Sequence, residues 1–79
     1  MNTRYYRAHV SLADGGEAAF YFTAAGDWLA HTHASYCLVM AEGWPAGMTL
    51  REVAFIGFDA PPARLGALIV SDAKTWKTA

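Results

Sequence analysis

The sequence predicts an α+β fold: one small domain of order β-β-α-β-β, with one helix packed across an antiparallel sheet. Three observations carry this expectation. Residues 4–13 and 18–24 alternate in the period of two that a half-buried strand requires, and Asp14-Gly15-Gly16 separates them. Residues 28–41 hold no formal charge and carry apolar side chains at helical spacing, between Gly26-Asp27 and Gly43. Two further apolar runs, 48–58 and 66–71, flank a break at Asp59-Ala60-Pro61-Pro62.

In the first strand Tyr6, Ala8, Val10 and Leu12 share one face, and Tyr5, Arg7, His9 and Ser11 the other. In the second, Ala18, Phe20 and Phe22 oppose Ala19, Tyr21 and Thr23. A three-residue loop over 14–16 pairs Leu12 with Ala18, Val10 with Phe20 and Ala8 with Phe22. A two-residue loop would set Val10 beside Tyr21 and mix the faces. The longer loop leaves Tyr5, Arg7, His9 and Tyr21 together on an outer face.

Asp27 is favourable at the positive N-terminal end of a helix. The helix is expected to run to about Glu42 and to stop at Gly43, with Pro45 blocking continuation. At 100° per residue, Leu29, Thr32, His33, Tyr36, Val39 and Met40 form the side expected to pack on Phe20 and Phe22, with Cys37 at its edge. Asp27, His31, Ser35, Leu38 and Glu42 face outward. The third strand is apolar on both faces at Val53-Ala54-Phe55-Ile56, which predicts a central or doubly covered strand. Residues 66–71 form a short fourth strand, and 72–79 a polar tail carrying Trp76. Residues 1–79 make one domain with its core at 4–71.

Composition narrows the function. Of 79 residues 54% are apolar, but 16 are alanine, so the large core-builders are few. Net charge is −1, which excludes a generic basic nucleic-acid binder and a heavily acidic DNA mimic alike. Charged residues make up 16%, too few and too diluted by apolar side chains for a disordered chain. The lone Cys37 cannot form an intrachain disulfide. The N-terminus lacks the apolar segment of a signal peptide, and the longest uncharged central run falls short of the ~20 residues that span a bilayer. A soluble, cytoplasmic protein is expected.

Catalytic signals are sparse. In His31-x-His33-x-x-x-Cys37 the two histidines point about 160° apart on a helix, so one ion cannot reach both. His33 and Cys37 are one turn apart, but no second ligand pair accompanies them. The bland reading prevails: a core-edge histidine beside a small, buried, apolar cysteine. No oxyanion hole, phosphate cradle or paired carboxylates are legible. The expectation is a non-enzyme, with no cofactor and no metal.

The apolar excess is more informative. Leu38 falls on the outward helix side, and Trp28 and Trp44 bracket the helix. Trp44 and Trp76 can equally cap the ends of a thin core. Exposed aromatics beside arginine are typical of interface hot spots. Two candidate surfaces follow: the hairpin face (Tyr5, Arg7, His9, Tyr21) and the helix face (Asp27, His31, Leu38, Glu42). The expected partner is a protein, with a homodimer through the apolar surface as a further form. The alternative is a nucleic-acid-binding or regulatory module that stacks bases on the hairpin face, although six Lys and Arg supply little phosphate-neutralising charge.

The β-β-α-β-β plan of residues 4–71, carried by the hairpin at 5–22, the helix at 27–42 and the strand at 53–58, resembles small proteins encoded by phages and mobile elements. Among these are the anti-CRISPR inhibitors. That group has no shared sequence pattern, so the resemblance assigns no residue. It implies stoichiometric binding to a large host nucleoprotein complex in the host cytoplasm, without chemistry. This chain departs from the strongly acidic, DNA-mimicking members, and a shape-based, apolar interface is expected instead.

Overall fold

Two seven-residue strands, β1 (Tyr5–Ser11) and β2 (Glu17–Thr23), form the centre of a four-stranded antiparallel sheet. The computed structural model describes residues 2–71, so the expected tail at 72–79 and its Trp76 lie outside the described residues. Helix α1 (Asp27–Met40) follows β2, then β3 (Thr49–Gly57) and β4 (Ile69–Ser71). The sheet order is β3-β1-β2-β4. The β2–α1–β3 connection therefore passes over β1, and the β3–β4 connection runs from one sheet edge to the other.

The core lies where the alternating strands place it. Tyr6, Ala8 and Val10 of β1 and Ala18, Phe20 and Phe22 of β2 are buried under the helix's Ala30 and Ala34. Tyr6 stacks on Phe22 with ring centroids 5.7 Å apart, and Phe20 meets Trp44 at 5.0 Å. Trp44 thus caps one end of the core, as one reading of the sequence expects.

The hairpin register differs from the expected one by two residues: Tyr6 pairs with Phe22, Ala8 with Phe20 and Val10 with Ala18. The loop does have three residues, but they are Ala13, Asp14 and Gly15. Gly15 N–H donates to Leu12 O at 3.1 Å, and Leu12 N–H to Gly16 O at 2.8 Å. Gly15 takes φ +92°, the left-handed third position that glycine occupies cheaply. Asp14 Oδ1 accepts from Gly16 N–H at 2.9 Å and closes the turn. A slip of two preserves the period of two, so every side chain keeps its expected face.

β3 is an edge strand, not the central one that its apolar run suggested. Its apolar run misleads because a pair of bulges interrupts the alternation of the strand. Leu50, Val53 and Phe55 pair with Val10, Ala8 and Tyr6, with register shifts between Tyr5 and Tyr6 and between His9 and Val10. Each shift lets one extra residue into β3, so successive apolar residues do not mean two buried faces. Phe55 and Ile56 remain exposed.

The helix begins at the expected residue but ends at Met40, where Ala41 N–H donates to Cys37 O at 2.9 Å. Its orientation overturns the expected one. The side against the sheet carries Ala30, Ala34, Cys37 and Leu38, whereas Tyr36, Val39 and Met40 are exposed. The helix is turned by roughly 140° from the expected face at 100° per residue. Small side chains allow this: alanines let the helix backbone approach the sheet, running nearest β3, where tyrosine and methionine would hold it away.

Candidate protein-contact surface

The rotation of α1 leaves an apolar ridge on the outside, interrupted by Thr32. Trp28, Tyr36, Val39 and Met40 retain 76%, 64%, 80% and 57% of their accessible surface. Their spacing places them along one face, with exposed Thr32 between. Thr32 Oγ1 donates to Trp28 O at 3.4 Å, so the ridge's hydroxyl bonds within the helix. Beside the C-terminal end of the ridge lies a groove of about 230 Å³, lined by Tyr36, Cys37, Met40, Ala41, Trp44 and Gly66.

A second exposed aromatic group sits at the β3 end of the sheet. The Arg4 guanidinium carbon lies 4.3 Å from the centroid of Phe55 and 5.7 Å from that of Phe58. Arg4 Nε also donates to the Tyr6 hydroxyl at 3.0 Å, and Nη2 reaches Asp27 Oδ1 at 3.3 Å. The Tyr6 hydroxyl donates to the same Asp27 oxygen at 2.7 Å. The bond from Tyr6, helped by that from Arg4, holds the Asp27 carboxyl below the ordinary aspartate range. The bond to Tyr6 raises the already high Arg4 value further.

The hairpin surface is brought together as expected. Arg7 lies directly across from Tyr21, and Tyr5 and His9 share their face. All four are half-buried, so this face is less open than the helix ridge. His9 Nε2 lies 2.6 Å from Glu17 Oε1 on β2, and His9 is directly opposite Glu52 on β3.

Of the expected helix surface, Asp27, His31 and Glu42 are exposed and Leu38 is half-buried. Asp27 is bonded to Tyr6 and Arg4, Leu38 packs against the core, and Glu42 lies beyond the last helical turn. His31 and Asp27 both project exposed from the helix, Asp27 while bonded to Tyr6 and Arg4. The sequence reading missed four further exposed apolar residues on the helix: Trp28, Tyr36, Val39 and Met40. The signal was available in Ala30-x-x-x-Ala34, since small residues four apart mark the side a helix presses closest to its neighbour.

His33 is exposed, contrary to a core-edge position, and with Arg4, Thr23 and Ala24 borders an open groove of about 510 Å³. Cys37 is half-buried against the core as a small apolar residue, and burial pushes its thiol up, away from the reactive thiolate. Among the described residues no three His, Cys, Asp or Glu side chains gather in a group that could hold a metal ion. No described helix is long and apolar enough to cross a membrane.

Compared with protein-family models, curated proteins and solved structures, the chain matches none.

Proposed function

We propose that this protein acts by stoichiometric contact with another protein, as a binding inhibitor or adaptor without chemistry of its own. One observation carries the reading. Among the described residues ten large apolar side chains lie exposed, whereas only Tyr6, Val10, Phe20 and Phe22 are large and buried. An exposed apolar surface of this weight is what protein interfaces use. The resemblance to anti-CRISPR inhibitors supplies the specific form: occupation of a surface on a large host nucleoprotein complex, blocking its nucleic-acid entry or nuclease recruitment.

The test is capture of partners by the tagged chain from a bacterial lysate, with and without nuclease, read by mass spectrometry. A stoichiometric protein partner that survives nuclease, and is lost on Phe58→Ser, is the expected result. Recovery of nucleic acid alone overturns the reading. The second reading, a nucleic-acid module, is favoured by Arg7 lying opposite Tyr21 on the hairpin face. It requires oligonucleotide binding at low salt that weakens steeply as salt rises and is lost in Arg7→Ala and Tyr21→Ala.

A further inference from the structure

We propose that the outer face of α1 is the interface of a two-fold homodimer, in which Trp28 of each copy seats in the groove bounded by Tyr36, Met40 and Trp44 of the other. The inference rests on the protein-contact reading and names the occupant of its most exposed surface.

The ridge is self-complementary in shape. Its most prominent side chain, Trp28, stands at one end, and the apolar groove lies at the other. Twelve residues separate Trp28 from Met40, about 18 Å along the helix axis. Two helices packed antiparallel about a two-fold axis bring Trp28 of one copy over the groove of the other, and the same contact recurs at the opposite end. A large aromatic anchor filling an apolar groove is the usual form of an interface hot spot.

Charge permits the pairing. Residues 28–41 carry no formal charge, so the face does not repel its own copy. Asp27 lies on the sheet side of the helix and is engaged by Arg4 and Tyr6. In the antiparallel arrangement Glu42 comes near the positive N-terminal end of the partner helix.

Area is sufficient. The four ridge side chains expose on the order of 500 Å². A two-fold contact covers this twice, on the order of 1,000 Å², the threshold for a specific interface. The sheet edges are poorer routes to self-association. β3 is bulged and presents Arg51 and Glu52, and β4 spans three of the described residues, both features that discourage edge pairing.

The experiment is sedimentation equilibrium of the full chain across micromolar concentrations, with Trp28→Ala, Val39→Asp and Tyr36→Lys alongside. The expected result is a wild-type dimer and a dissociation constant at least roughly thirtyfold weaker in each variant. Unchanged circular dichroism identifies folded variants, and three exposed positions ensure that one misfolded variant does not decide the result. A wild-type chain that stays monomeric overturns the proposal. So does a dimer indifferent to all three substitutions, which places self-association elsewhere. The nuclease-resistant capture described above separates the two readings. A monomer that still captures a protein through Phe58 refutes only the homodimer, whereas a monomer that captures none refutes the contact reading as well.

Discussion

The hydroxyl of Tyr6, in the first strand, donates a 2.7 Å hydrogen bond to Asp27 Oδ1, in the first turn of the helix. Tyr6 is almost completely buried, and Gly26 before the helix supplies no side-chain cap. This bond ties the start of α1 to the sheet and helps set which side of the helix faces inward. Tyr6→Phe keeps the ring packing on Phe22 and Phe55 and removes the hydroxyl, both the donor to Asp27 and the acceptor from Arg4 Nε. Chemical denaturation should show a loss of about 1 kcal/mol.

The same pair predicts an acid limb. The folded-state value of Asp27 is lowered, so its stabilisation is complete above the ordinary aspartate range near pH 4. It is lost as pH falls through the lowered folded value. Asp27→Asn and Tyr6→Phe should each flatten melting temperature against pH below about pH 4. The slope should be small, because the carboxylate is exposed and salt screens its contact with Arg4.

Helix orientation can be read from two substitutions measured at low protein concentration. Ala34→Leu overfills a fully buried site and should cost about 1–3 kcal/mol. Val39→Ala, on the exposed ridge, should change monomer stability by less than about 0.5 kcal/mol. The expected sequence-based face requires the reverse order.

The hairpin loop offers a third check. Nothing lies within 4 Å of a Cβ placed on Gly15, so a substitution there meets only the cost of a positive φ. Gly15→Ala should destabilise by about 1 kcal/mol, and Gly15→Asn by less, because asparagine tolerates the left-handed region.

Trp44 should be worth more to the fold than Trp28 despite the same side chain. It packs on Phe20 at 5.0 Å, and Trp44→Ala should cost about 2 kcal/mol, below the fully buried range because the site is half-open. Trp28→Ala should leave the monomer's urea midpoint nearly unchanged.

Much of the fold was legible because strand alternation is a local signal. Tyr6, Ala8 and Val10 announced the core face, and the hairpin kept Tyr5, Arg7, His9 and Tyr21 together even though the register moved by two. The edge position of β3 was not legible, since a run such as Val53-Ala54-Phe55-Ile56 looks alike in a buried strand and a bulged edge. The helix face was misjudged for a related reason. When apolar residues surround a helix, hydropathy no longer points to the core, and residue size at the closest approach decides.

Residue identity therefore determined the element order, the strand faces, the start of α1 at Asp27 and the near-neutral surface, all through local periodicity, turn chemistry and charge. Assembly decided which side of α1 met the sheet and hence which side remained exposed. Ala30 and Ala34 fit close to the strands while Asp27 reaches Tyr6, two constraints that act only once residues distant in the chain are brought together.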